Sequence, residues 1–515
     1  MSGVRRVAVV GGGVTGLTAA YTLVTEARAR RLPLSCTVIE RDGRWGGKVR
    51  SLRTDGLVLE EGPDAILRRK PWAVDLCRRL GLEAKLVGTA ASGSYVRWGR
   101  KLQPLPEGLS FLVPTRLAPF VRSPLFTLAG KARLAAEYFI PPAPPGGDEP
   151  LGAFVRRRLG SEALERLAEP LLSGIYAGDV DRLSLLATFP QLRTMEQEHG
   201  GLLRAALAER RKRAEGAGAR RPGPAGRGDR VAGAPAAPVR LSRGNPQSAF
   251  VSLEGGIATL IDALVDHLRD AECILGDGVR EIRRTDENAA AGGGARGGGQ
   301  ERAPYRLVLE SGRTIAADGV ILAAPAYVQA ALLGELAPAA AKLLGEIEYA
   351  SVAGVVLVYP RASVPGEMRG TGYIVPRAMG GVVTAVTWAS EKWPHVAPAG
   401  RTVLRCHIGK AGREDVTAWS DERLVAEARR ELSETMGVRA EPEACYVYRW
   451  PRSMPQYAVG HLERVARIEE SLRALPGVVV TGAALRGVGV PDCVRQGEEA
   501  ARRLLQDLVE KDVGT

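Results

Sequence analysis

Val7-Ala8-Val9-Val10-Gly11-Gly12-Gly13-Val14-Thr15-Gly16 opens the chain as an apolar run that enters a glycine-rich turn, and Leu17 to Val24 continues it with helical spacing. A strand that is apolar on both faces and feeds a helix through glycines is the start of a parallel α/β sheet. Gly11-x-Gly13-x-x-Gly16 falls where a dinucleotide fingerprint belongs. In that reading Gly11 permits the tight turn, Gly13 lets backbone approach a pyrophosphate, and Gly16 lets helix and strand pack closely. The phosphates would then face the positive end of the helix dipole.

Working outward, Cys36-Thr37-Val38-Ile39 reads as the second strand and completes a βαβ unit. Glu40 ends it, 24 residues after Gly16, where a carboxylate can accept both hydroxyls of a ribose. Arg44-Trp45-Gly46-Gly47-Lys48 follows within a few residues. A second glycine pair there would bring backbone close to a pyrophosphate already held from the other side. Nicotinamide folds do not need that pair, so it favours a flavin. Near the other end, Val478-Val479-Val480-Thr481 leads into Gly482 and Gly487-Val488-Gly489-Val490-Pro491, just before a helix expected from about 493 to 509. This arrangement can aim a second helix N-terminus at the same cofactor.

The chain has 515 residues, 45% apolar and 25% charged, which excludes a wholly disordered or fibrous protein. Its formal charge, 71 minus 58, is +13. Eleven Lys or Arg against Glu209, Glu215 and Asp229 place +8 of that between Arg204 and Arg243. The remainder is close to balanced, so the fold is not read as a nucleic-acid binder. Cys36, Cys77, Cys273, Cys406, Cys445 and Cys493 form no Cys-x-x-Cys pair and fit reduced cytosolic thiols. The isolated histidines offer no metal site. With a strand expected almost from the first residue no leader is expected, and no apolar run reaches the roughly 20 residues of a spanning helix. A cytoplasmic protein, with at most peripheral contact with a membrane, is expected.

Helical periodicity at 151–172 and 202–213 marks a second domain inserted into the first. The stretches 214–238 and 289–299, rich in Gly and Ala, cannot bury enough apolar surface to order themselves and are expected as mobile insertions. Strand-like runs return at 279–282, 305–309, 320–323, 352–359 and 382–386. The fold class is therefore α/β, a Rossmann-like cofactor domain with an inserted α+β substrate domain. The expected division gives the cofactor domain 1–100, 246–325 and 451–515. It gives a helical substrate domain 101–245, disordered over 214–245, and a further substrate-binding part 326–450.

Several motifs together resemble the FAD-dependent porphyrinogen oxidases of haem synthesis. They are the opening stretch, Glu61-Gly62-Pro63-Asp64-Ala65, Phe250-Val251-Ser252-Leu253-Glu254-Gly255-Gly256, Arg449-Trp450 through Met454-Pro455-Gln456-Tyr457 to Gly460-His461, and Gly487 to Cys493. Gly62-Pro63-Asp64, Arg68-Arg69-Lys70 and Ser92-Gly93-Ser94-Tyr95-Val96 are closest to the Gram-positive branch. The resemblance implies an amine-oxidase-like fold, FAD as cofactor, and oxidation of coproporphyrinogen III to coproporphyrin III by dioxygen. Hydride transfer from a bridging carbon to the flavin would be followed by release of hydrogen peroxide.

Site residues follow position by position from that resemblance. Gly11, Gly12, Gly13, Val14, Thr15 and Gly16 would hold the pyrophosphate and Glu40 the ribose, with Arg41 counted among the cofactor residues. Gly46, Gly47 and Lys48, with Gly62, Pro63, Asp64 and Ala65, would line the flavin side. Val279 would present backbone to the adenine. Trp450, Gly482, Gly487, Val488, Gly489 and Val490 would close over the isoalloxazine. Lys70, with Arg68 and Arg69, would meet substrate propionates, as a clamp of cations should. Arg97, Arg100 and Lys101, around Trp98, read instead as a solvated hairpin. No metal ligand and no catalytic base is assigned.

Rival readings remain at this point: protoporphyrinogen IX as substrate, a flavin amine oxidase, and a non-catalytic FAD-containing porphyrin carrier. The arginine-rich insertion reads first as a solvated linker. Its other readings are contact with anionic lipid or hand-over to the next haem-pathway enzyme.

Overall fold

A computed structural model describes residues 4–110, 112–114, 117–218, 241–285 and 303–513. Five parallel strands stand in the order Glu272–Leu275, Leu34–Glu40, Arg5–Val10, Gly319–Leu322 and Val478–Val480. Side chains alternate across this sheet. Val7, Val9, Val38 and Ile321 point into one core, shared with the helices Val14–Ala29 and Val490–Val513. Ala8, Val10, Val320 and Leu322 point into another, under Ala326–Leu333, Pro338–Gly345 and His461–Ser471. Both faces are covered, which is why these strands read as unbroken apolar runs.

The second sheet has seven strands, in the order Ala444–Pro455, Tyr349–Pro360, Arg401–Ile408, Val383–Trp388, Gly372–Ile374, Tyr95–Trp98 and Lys101–Pro104. Helix Asp421–Met436 packs on one face, and hairpin strand Leu57–Glu60 on the other. A helical region between residues 117 and 218 forms its own core around Phe154, Leu167 and Leu192, joined by Val96 and Tyr457. In that core the Arg158 guanidinium donates to the Glu137 carboxylate, both fully buried. Glu137 also accepts the Leu202 and Leu203 N–H groups at 2.7 and 3.0 Å, which caps helix Leu202–Gly218.

Several sequence expectations are corrected here. The boundary at 100/101 falls inside the hairpin Tyr95–Trp98/Lys101–Pro104, which belongs to the second sheet. Residues 326–345 cover the parallel sheet instead of joining the substrate-binding part. The segment expected to be disordered over 214–245 is ordered at both of its ends. Residues 214–218 finish a helix, and Ser242, Arg243 and Asn245 form backbone hydrogen bonds with Leu86, Gly88 and Thr89. Residues 219–240 and the insertion 289–299 lie outside the described residues. The 151–172 helix is broken at Gly160, whose φ of 94° no helix accommodates. The closing helix begins at Val490, with Pro491 tolerated in its first turn. Arg97 is not solvated: it is buried and pairs with Glu431 and, at 3.0 Å, with Glu434.

Candidate functional site

The site is built where three neighbouring parallel strands end. Arg5–Val10 runs into Gly11, Gly319–Leu322 into Ala323, and Val478–Val480 into Thr481 and Gly482. Gly11 has φ 110°, and a Cβ on it would stand 3.0 Å from the Ala323 carbonyl carbon. A Cβ on Gly16 would collide with the Gly11 carbonyl oxygen. Both glycines are therefore required by the protein's own packing. Gly13 is different: a Cβ there would meet nothing within 4 Å.

The second glycine segment lies directly against this turn. Gly46 N–H donates to Gly12 O at 2.8 Å, and a Cβ on Gly47 would come within 3.3 Å of the Gly13 Cα. Glu40 accepts from Gly12 N–H at 2.6 Å and from Asp42 N–H at 2.9 Å. A carboxylate offers about four lone-pair sites, so two remain for hydroxyls. The Glu40 carbonyl holds Gly276 and Asp277 through their N–H groups at 2.9 and 3.2 Å, which brings strand Val279–Arg284 alongside. Val279 thus starts beside Glu40, and the aliphatic stem of Arg41 lies against Gly278.

Gly62, Pro63, Asp64 and Ala65 form a strap clamped to the second sheet. The Trp450 indole N–H donates to Glu61 O at 2.7 Å, and buried Arg405 donates to Gly62 O at 2.7 Å. Lys392 Nζ and the Trp393 indole N–H reach the Asp64 carboxylate at 2.7 and 3.3 Å. Burial alone would push the Asp64 pKa up, but Lys392 and Arg405 hold it well below the usual range. Glu60 has the opposite fate: burial lifts it to about 7, although Ser51 and the Ile257 N–H both donate to it at 2.7 Å. On the other side of the strap, Lys48 Nζ donates to Ser453 O and lies 5.8 Å from the centre of the Tyr349 ring. Burial draws its pKa down to about 8.

The closing turn is positioned by residues to which sequence reading assigns no role. Tyr457 donates its hydroxyl hydrogen to Ala483 O at 2.6 Å and accepts Gly487 N–H at 2.8 Å. His461 stacks on Tyr457 with ring centres 4.1 Å apart, and its Nε2–H donates to Leu485 O at 2.9 Å. Gln456 reaches across to Tyr176 O at 2.9 Å, and Gln496 bonds Arg486 N and Gly487 O. The Met-Pro-Gln-Tyr-x-x-Gly-His motif is therefore the support of the turn from Gly482 to Val490. Val488 packs on the helical core and Val490 on the core of the parallel sheet.

Of the expected substrate cations, Lys70 is already held: its Nζ binds both Asp492 carboxylate oxygens at 2.7 and 2.6 Å. Arg68 donates to the Pro246 and Ser248 carbonyls at 2.7 and 3.0 Å, so it fixes the strand Phe250–Leu253. Arg69 is exposed. Trp450, expected over the isoalloxazine, uses its indole N–H on the Glu61 carbonyl, and Arg44 stands 5.8 Å from its ring.

The residues fit an extended dinucleotide. Helix Val14–Ala29 has no acidic residue in its first turn, and among the described residues no side chain caps its positive end. Among the described residues nothing comes within 4 Å of a Cβ placed on Gly13. The flavin-containing amine oxidoreductase family model matches residues 14–505.

The chain belongs to the flavin-containing amine oxidoreductases.

Within this flavoprotein family, its sequence is 39% identical to coproporphyrinogen III oxidase of Bacillus subtilis (strain 168), over 97% of each chain. It is 32% identical to coproporphyrinogen III oxidase of Staphylococcus aureus, over 98% of this chain and 100% of that one. A solved structure from Exiguobacterium sp. 255-15 aligns with TM-score 0.79 and 32% identity over 99% of both chains. The expected fold and the flavin are borne out, and FAD is the cofactor. Among the described residues no group of His, Cys, Asp and Glu could hold a metal ion, and no helix is long and apolar enough to cross a membrane.

Proposed function

We propose that this flavoprotein oxidises coproporphyrinogen III to coproporphyrin III with dioxygen as acceptor, within haem and porphyrin biosynthesis. The observation that carries the reading is the 39% identity to a coproporphyrinogen III oxidase along nearly the whole of both chains. Six electrons leave the macrocycle in three steps, each removing a hydride and a proton and yielding one hydrogen peroxide. FAD, when bound, supplies the acceptor for the hydride and passes the electron pair to dioxygen.

The chain's own residues bind and orient. Gly11 to Gly16 would take the pyrophosphate at the uncapped helix end, Glu40 the ribose, and the backbone at Val279 the adenine. Gly46, Gly47, Lys48 and the strap Gly62 to Ala65 would line the flavin. The turn Gly482 to Val490, braced by Tyr457 and His461, would close the site and exclude water. Gain of aromaticity drives the overall reaction, so no residue is assigned as catalytic base. The reading places the enzyme in the cytoplasm, with hand-over of product to the next haem-pathway enzyme and at most peripheral contact with a membrane.

The test is turnover of coproporphyrinogen III against protoporphyrinogen IX, followed by porphyrin fluorescence with peroxide measured alongside. Faster oxidation of coproporphyrinogen III, with three peroxides per porphyrin, supports the reading. A preference for protoporphyrinogen IX would reassign the substrate, and peroxide formed with amines alone would reject the reading.

A further inference from the structure

Lys410 follows the strand Arg401–Ile408 and the positive-φ turn at Gly409, and only 6% of it is exposed. Among the described residues its ammonium forms no hydrogen bond and no ion pair. Lysines are rarely enclosed to this degree unless the ammonium meets a partner. Burial draws its pKa down, against the nearby charge of Glu169.

The carboxylates around it are engaged elsewhere. Glu169 accepts from Ser173 Oγ at 2.7 Å and from Arg377 N–H at 2.9 Å. Glu348 pairs with Arg182 at 2.6 Å, and Asp179 faces Arg377 at 3.8 Å. Asp415 accepts from the Thr417 hydroxyl at 2.6 Å. Lys410 lines a cavity of about 350 Å³ between the helical region and the second sheet, together with Leu183, Tyr349, Ser351 and Gln456. Tyr349 is also the ring beside Lys48, and Gln456 belongs to the motif that braces the closing turn. The cavity therefore adjoins the flavin-side segment through a single side chain.

We propose that Lys410 is a carboxylate-binding residue of the substrate site, receiving one propionate at the rim of the macrocycle. This rests on the reading of the substrate as a tetracarboxylate porphyrinogen. It adds a cation from the turn after Arg401–Ile408, far in sequence from Lys70, whose own charge is taken by Asp492.

The experiment titrates the flavin-loaded protein with coproporphyrin III by fluorescence, using wild type, Lys410→Met and Lys410→Arg, with flavin content and Tm recorded for each. The account expects the dissociation constant to rise about tenfold in Lys410→Met, the loss of one charge-assisted hydrogen bond, and to recover in Lys410→Arg. Protoporphyrin IX, with two carboxylates fewer, should lose less. Equal binding by wild type and Lys410→Met at unchanged flavin content would overturn the assignment, and so would a wild type that does not bind coproporphyrin III. Turnover is read separately. Lys410-dependent binding without oxidation would retain the carboxylate site and reject the oxidase function.

Discussion

The Tyr457 hydroxyl accepts the Gly487 N–H at 2.8 Å and, through the same oxygen, donates to Ala483 O at 2.6 Å. One phenol thus pins both ends of the closing turn. Tyr457→Phe keeps the ring packing and the His461 stack but removes both bonds. We expect a stability loss of about 1–3 kcal/mol for the N–H and carbonyl left unpaired. The flavin-to-protein ratio after gel filtration should fall as well. A variant retaining full flavin and an unchanged Tm would contradict the bracing role.

The glycines of the opening turn should separate folding from cofactor binding. A methyl group on Gly16 would strike the Gly11 carbonyl, whereas one on Gly13 would enter open space. Gly16→Ala is expected to lower Tm sharply and to yield little soluble protein. Gly13→Ala is expected to fold with near-native Tm as apoprotein and to bind flavin at least tenfold more weakly, a loss of about 1.4 kcal/mol. Flavin retention and apoprotein melting, measured on the same samples, check both.

Much of this arrangement is legible in the sequence, and the rest is not, for identifiable reasons. Val7 to Gly16, Cys36 to Glu40 and Val478 to Gly482 are local: apolar runs ending in glycine can be read without knowing their neighbours. Strand Glu272–Leu275 was missed because it lies at the sheet edge, mostly exposed, with no alternation to mark it. The Lys70–Asp492 pair spans 422 positions and Arg97–Glu431 spans 334, so neither cation could be told from a solvated one. Tyr457 and His461 carried a signal, a motif quoted for its resemblance. Their role appeared only once Ala483, Leu485 and Gly487 were seen beside them.

Acid should destabilise the fold through histidines buried in the neutral form. Burial pulls His461 down to about 4, and its Nδ1 has no partner to receive a proton. Burial and Arg405 lower His407 to about 3. An unfolded histidine titrates near 6.5, so below that pH the unfolded chain gains protons that the folded chain refuses. Stability is full above pH 6.5 and declines toward pH 4, with His461 alone contributing about 2 kcal/mol of loss by pH 5. Denaturant midpoints from pH 7 to 5 should show a shallower slope for His461→Gln than for wild type.

The buried Arg158–Glu137 pair predicts a large asymmetric cost. Removing one partner leaves an uncompensated charge at full burial. Arg158→Met should therefore destabilise the helical region by about 3–5 kcal/mol. Glu137→Gln should also leave one of the capped N–H groups, Leu202 or Leu203, facing an amide nitrogen that cannot accept. Chemical denaturation of both variants, compared with an exposed control such as Arg473→Met, tests this.

The most direct measurement mixes purified, flavin-loaded protein with coproporphyrinogen III in the absence of oxygen and follows the flavin absorption. The account predicts bleaching at about one macrocycle bond oxidised per flavin, with the yellow colour and three peroxides per porphyrin returning on admission of air. A flavin that stays oxidised in the presence of bound porphyrinogen would contradict it.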